Sequence, residues 1–229
     1  RCLCGLASDA LPSLGISVKK SGRTTGLTHS TISYVGVNVT VRYDGGRAYF
    51  TDQFFVSGGD FIAGGDSGSL IVTDDAAANP VGLLFAGSSS DTIANPIHSV
   101  LTQLGSELNA TLSFGTSNDA GTFELAPPTD GGGGGGNDKP KGNGKGGGKP
   151  KTSIQQTGIA QAMAVRDRNE ARLHGYDGIL GSGIGIGPDS TANITVFVNK
   201  ANAGAKRHLP KKLEGIRVEV RMTDEFYAY

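Results

Sequence analysis

One short string in this sequence has the residue types of a reactive centre: Gly64-Gly65-Asp66-Ser67-Gly68-Ser69, followed by the apolar run Leu70-Ile71-Val72. A serine hydroxyl attacks a carbonyl effectively when it stands exposed on a tight turn, beside backbone N–H groups that meet the oxyanion it creates. Glycines on either side permit that turn because they bring no side-chain clash. A plain Gly/Ser-rich hairpin has the same spelling, so the string alone leaves both readings open. Cys2 and Cys4 are too close for an ordinary local disulfide and too few for a zinc site; no metal or cofactor is expected. Gly181-Ser182-Gly183-Ile184-Gly185-Ile186-Gly187 contains matches to a dinucleotide fingerprint, which requires a helix to open directly after the glycines. Here Pro188-Asp189-Ser190 forms a turn instead. The glycines are therefore expected inside a strand, packed against the Ile159/Met163 face of a helix.

The elements that must position Ser67 are β-strands. Ile16–Val18, Thr31–Val37, Asn38–Tyr43, Ala48–Val56, Ser69–Thr73 and Val81–Ala86 are short runs rich in Val, Ile, Thr, Tyr and Phe, separated by Gly/Asp/Ser turns. That spacing predicts a barrel or sandwich, closed by one helix over Pro96–Leu108. Of the 229 residues 37 are glycine, and they concentrate in 126–153, which includes the run Gly131–Gly136. This stretch cannot bury enough apolar surface to offset its ordering entropy, and a disordered linker is expected there. It divides the chain into residues 1–125 and 154–229. In the second block Ile154–Leu173 has helical spacing, Ile179–Gly187, Asn193–Val198 and Ile216–Arg221 read as strands, and the sum is a small α+β unit.

Charge excludes other classes. The whole chain is neutral, and residues 1–125 carry 6 Lys/Arg against 11 Asp/Glu. With no basic face, nucleic acid is not expected as a partner. No apolar run reaches 18 residues, so no membrane-spanning helix is expected. The chain opens on Arg1 and is expected to be processed or part of a longer one.

Three stretches, in order, resemble the C-terminal half of trypsin-like (chymotrypsin-fold) serine peptidases of bacterial type, nearest the α-lytic and streptogrisin kind. They are Val18-Lys19-Lys20-Ser21-Gly22-Arg23-Thr24-Thr25-Gly26, Gly65-Asp66-Ser67-Gly68 and Val81-Gly82-Leu83-Leu84-Phe85-Ala86-Gly87. The resemblance implies a mainly β fold whose first block is a six-stranded antiparallel barrel, the second of the chymotrypsin fold. It implies Ser67 as nucleophile, the N–H groups of Gly65 and Ser67 as oxyanion hole, and Asp66 as a buried carboxylate that structures the loop. Phe85, Ala86 and Gly87 are implied to pair with an extended polypeptide substrate, and Phe61 to lie near the specificity pocket, disfavouring Lys or Arg there. The family's general-base histidine and its aspartate come from a first barrel, which these residues do not contain. His29, His98, His174 and His208 do not match that position. His29 and Lys19 stand where the α-lytic type often has a disulfide.

Residues 154–229 resemble the small α-β accessory domain of related bacterial trypsin-like proteins, displaced here to follow the barrel. The leading expectation is a serine endopeptidase whose missing N-terminal barrel is supplied in cis or in trans, with this chain nearly inactive by itself. The alternative is a non-catalytic peptide-binding module. An isolated half of a two-barrel enzyme also exposes an apolar face, and self-association or marginal stability is expected from it.

Overall fold

The computed structural model describes residues 9–114 and 152–229. The two cysteines and nearly all of the expected linker, 126–153, lie outside the described residues. The chain is mainly β. The first block supplies β1 (Ser17–Gly22), β2 (Gly26–Tyr43), β3 (Gly46–Ser57), β4 (Leu70–Thr73), β5 (Pro80–Gly87) and β6 (Asp91–Pro96), then helix α1 (Ile97–Leu108). Neighbouring strands run β1-β4-β5-β6-β3-β2, and β1 also pairs β2, so the six close into a ring in which every pairing is antiparallel. Two runs that read as separate strands, Thr31–Val37 and Asn38–Tyr43, are one continuous β2, bent where its register to β3 shifts between Ile32 and Val39. Bulges of this kind turn a strand round a corner and let one strand serve several neighbours.

Successive side chains on a strand point to opposite faces, and this divides the apolar residues into two cores. Phe54 and Val56 pack inward with Val18, Ile32, Ile71, Val81 and Leu84, while Phe55 between them packs outward with Val37, Val39, Val41 and Ile93. The outward face is covered by Leu180, Phe197 and Phe226 from the second block. The apolar surface on this part of the ring is therefore covered within the chain itself.

The second block forms helix α2 (Thr152–His174), strands β7 (Ile179–Ile186) and β8 (Ala192–Asn199), a 3-10 segment over Lys200–Arg207, and strands β9 (Lys212–Leu213), β10 (Ile216–Thr223) and β11 (Phe226–Ala228). The helix–strand–strand–strand order matches the sequence reading, but the strands do not make a sheet of their own. β7 pairs antiparallel with β2, β8 with β7, and β10 runs parallel to β8, so the sheet of the ring continues without a break through the second block. The alternating glycines of β7 explain the closeness of this join, and their neighbour is β2 rather than the helix. A Cβ at Gly181 would stand 2.4 Å from Asn38 O, one at Gly183 2.7 Å from Val37 Cγ2, and one at Gly185 2.9 Å from Tyr34 Cε1. The helix packs instead through Ala162, Val165 and Leu173 onto Ile184, Ile194, Val196 and Val198.

A polar cluster fastens α2 to the ring. Arg166, nearly fully buried, donates to the carbonyls of Gly36 and Ser182 and lies 3.3 Å from Glu170 Oε2. Tyr49 OH donates to Glu170, and His174 Nε2 lies 3.0 Å from Glu170 Oε1. Burial raises the Glu170 carboxyl, but the contacts with His174 and Tyr49 and the charge of Arg166 outweigh it and bring it down to about 2. A folded-state value below the ordinary 4.5 means stabilisation that is complete above pH 4.5 and is lost as the pH falls toward 2. Glu170→Gln is expected to lower stability at pH 7 by about 1–3 kcal/mol and to flatten the pH dependence below 4.5. Urea unfolding at several pH values checks both; an acid limb as steep as that of the wild type contradicts the assignment.

Candidate active site

The loop that carries Ser67 runs from the short 3-10 turn Gly59–Phe61 to the start of β4, and is clamped from below by the carboxylate of Asp66. Asp66 has no exposed surface. It accepts hydrogen bonds from Thr24 N at 2.7 Å, Thr25 Oγ1 at 2.7 Å, Thr25 N at 3.3 Å and Ala63 N at 3.1 Å, and pairs with Lys20 Nζ at 3.1 Å. Lys20 is itself 1% exposed, on the same inward face of β1 as Val18. Burial raises the Asp66 carboxyl, and the hydrogen bonds from Thr25, Thr24, Lys20 and Ala63 together pull it far below the ordinary carboxylate range. The clamp joins the loop to the turn between β1 and β2, and Thr24 Oγ1 adds a bond of 2.8 Å to Gly64 O.

With Asp66 turned inward, its neighbour turns outward: Ser67 is exposed. Gly65 has φ +97°, a conformation that residues with a side chain rarely adopt, and a Cβ there would also displace the Arg23 guanidinium, 2.2 Å away. The amides of Asp66, Gly68 and Ser69 donate to Ala63 O, Leu84 O and Asp66 O respectively. Among the described residues the amides of Gly65 and Ser67 have no such acceptor. The Gly68 bond to Leu84 O, at 2.8 Å, and the return bond from Leu84 N to Ser69 O, at 3.1 Å, hold the loop against β5. Ser67 thereby comes beside Phe85, its Oγ 3.4 Å from Phe85 O.

Ser67, Gly65, Asp66, Phe85, Ala86 and Gly87, singled out from the sequence, thus meet at one end of β4 and β5. Phe61 is buried: it is 3% exposed, its ring lies 5.8 Å from Lys20 Nζ, and its carbonyl accepts from Thr28 Oγ1. No imidazole among the described residues reaches Ser67. His29, cross-strand from Lys19, lies 2.9 Å from Asp74; His98 lies 3.2 Å from Asp9; His174 belongs to the Glu170 cluster.

The sequence reading missed two groups. One is the set of donors to Asp66, above all Lys20; the signal was a lysine at alternate spacing from Val18 on an inward face. The other is the last strand. β11 lies antiparallel to β5, with Tyr227 opposite Gly87 and Ala228 opposite Ala86, and parallel to the far end of β2. Tyr229 N donates to Phe85 O at 3.2 Å, and Ser67 Oγ donates to the Tyr229 carbonyl.

No family model matches the chain, and no curated protein does. Solved structures similar to it are serine proteases. A glutamic acid-specific protease that uses a histidine triad in substrate binding is 30% identical over 44% of this chain and 52% of that one, with a TM-score of 0.35. The Nocardiopsis protease NAPase is 20% identical over 43% and 50%, with a TM-score of 0.35. Protease A of Thermobifida fusca is 28% identical over 42% and 50%, with a TM-score of 0.33. The chain spans about half the length of these proteins.

Removing the clamp tests its role. Asp66→Asn leaves the Lys20 ammonium buried without a counter-ion and is expected to cost about 3–5 kcal/mol of stability. The midpoint of urea unfolding measures it; a loss below 1 kcal/mol contradicts a clamp of this importance.

Proposed function

We propose that this chain is the distal part of a serine endopeptidase and corresponds to the second barrel of a chymotrypsin-type fold. Ser67 Oγ is the nucleophile. It adds to the carbonyl of the scissile peptide bond, the amine leaves with a proton, and water then hydrolyses the resulting acyl ester to free Ser67. The N–H groups of Gly65 and Ser67 receive the negative charge that develops on the carbonyl oxygen. Asp66 acts on the loop and not on the substrate. Phe85, Ala86 and Gly87 hold the polypeptide as an added strand. The general base and the aspartate that orients it are supplied by a further barrel in cis or in trans.

One observation carries this reading: an extended strand lies antiparallel along Phe85–Gly87, with a main-chain carbonyl on the Ser67 hydroxyl. A peptide-binding edge and an exposed serine hydroxyl lie side by side, as acyl transfer requires. The carbonyl of the bound strand accepts from the hydroxyl, and a substrate carbonyl turned onto the Gly65 and Ser67 amides would present its carbon to Ser67 Oγ. The absence of an imidazole beside Ser67 among the described residues favours a second reading, a peptide-binding module without catalysis. The full-length gene product distinguishes them. The first reading expects hydrolysis of a casein or peptide substrate, labelling of Ser67 by a fluorophosphonate, and a fall in kcat/KM of about 10⁴ or more on Ser67→Ala with unfolding unchanged. Unaltered turnover in Ser67→Ala sinks it, and peptide binding with neither turnover nor labelling establishes the second. The 229-residue chain by itself is expected to hydrolyse such substrates slowly or not at all, because a serine hydroxyl without a base is a poor nucleophile at neutral pH.

A further inference from the structure

We infer that Phe226–Tyr229 is a built-in, substrate-like ligand of the groove: it blocks the groove to other peptides and displays the aromatic residue that the groove prefers opposite Ser67. The inference rests on the reading of Phe85–Gly87 as a peptide-binding edge.

Three features of β11 distinguish it from an ordinary closing strand. First, its register places Tyr229 at the reactive position. Running antiparallel to β5 from Gly87 through Ala86, the segment brings the Tyr229 N–H to Phe85 O and the Tyr229 carbonyl to Ser67 Oγ. Secondly, the Tyr229 ring rests on the wall that a substrate side chain would meet. The point where a Cβ on Gly87 would stand is 3.3 Å from Tyr229 Cε2 and also 3.3 Å from Ile62 Cγ2. Gly87 thus leaves room for a flat ring beside Ile62.

Thirdly, the strand is held firmly at its start and lightly at its tip. Phe226 is fully buried between Phe55 and Phe197, at ring distances of 5.2 and 6.1 Å. Just before it, Glu225 lies 2.9 Å from Arg42 and also pairs with Arg47, while Asp224 lies 2.9 Å from Lys200 and accepts from Ser89 Oγ. Arg221, farther back on β10, donates through Nε and Nη2 to the buried carboxylate of Asp91, the first residue of β6. Tyr227 and Tyr229, by contrast, are 46% and 44% exposed. The tip can leave the groove while Phe226 and the acidic pair stay in place. A ligand tethered so closely competes at an effective concentration of millimolar order or above, so a free peptide meets an occupied groove until the tip is displaced.

The test is binding, which needs no general base. A fluorescein-labelled peptide Asp-Glu-Phe-Tyr-Ala-Tyr is titrated by anisotropy against the full chain and against a variant with Tyr227, Ala228 and Tyr229 replaced by Gly-Ser-Gly, which keeps Phe226 and both acidic anchors. The variant is expected to bind at least tenfold more tightly than the wild type, and at least tenfold more weakly when the last Tyr of the peptide is Lys. Equal affinity for the two proteins overturns the blocking strand and leaves the groove standing. Equal affinity for the Tyr and Lys peptides overturns the aromatic preference, and binding to neither protein overturns the groove and this inference together. Hydrogen exchange on the wild type decides the matter should the variant not fold: the Tyr229 amide is expected to exchange at least tenfold more slowly than in the free peptide, and exchange at the free rate overturns the inference.

Discussion

A carboxylate and an ammonium group, both removed from water, meet below the loop that carries Ser67, and the site follows from how that burial is tolerated. Either charge alone would be prohibitive in the interior. Asp66 is stable there because donors reach it from three places in the chain: the end of β1, the Thr24-Thr25 turn and the Ala63 amide. To collect those bonds the backbone must turn the Asp66 side chain inward, and the tight loop then turns Ser67 outward. The same turn leaves the Gly65 and Ser67 amides without an acceptor among the described residues. A structural charge and an exposed hydroxyl are thus two consequences of one backbone conformation, with Gly65 at a φ that only glycine adopts readily.

The strands around this loop form one closed ring and one extension. Alternation on β2 and β3 produces apolar side chains on both faces, and each face needs a cover. The inner face is covered by the ring itself. The outer one is covered by Phe197, which stacks obliquely against Phe55, and by Phe226, which meets it edge-on. The second block therefore acts as part of the same folded body rather than as a unit on a tether. β7 reaches β2 closely enough to pair because three of its positions lack a Cβ where β2 brings Asn38, Val37 and Tyr34.

That extension also determines what stands at Ser67. β10 is the parallel neighbour of β8, and its exit near Asp91 delivers the remaining residues to the gap between β2 and β5. Main-chain hydrogen bonding is indifferent to sequence, so any extended segment of suitable direction can fill such an edge. The particular segment that does so is selected by the Phe226 pocket and by the charges on either side of Glu225. On the proposed reading, blocking and recognition are the same contact, seen from the segment and from the groove.

Much of this was legible in the linear sequence. Period-two runs marked the strands, helical spacing marked α1 and α2, and the glycines around Asp66-Ser67 marked the turn, because each of these depends on residues a few places apart. The helix–strand–strand order of the second block was legible for the same reason. Long-range choices were not. Lys20 and Asp66 are separated by 46 residues, and nothing local tells a buried lysine which carboxylate it will meet. The alternating glycines of β7 announced a close neighbour without naming β2. Phe226–Tyr229 is too short for periodicity to identify as a strand, and it becomes one only through the edges of β2 and β5. Sequence determines which face of an element is apolar and where the backbone can turn; tertiary structure alone decides which faces and edges meet, because their hydrogen bonds and burial exist only between segments distant in the chain.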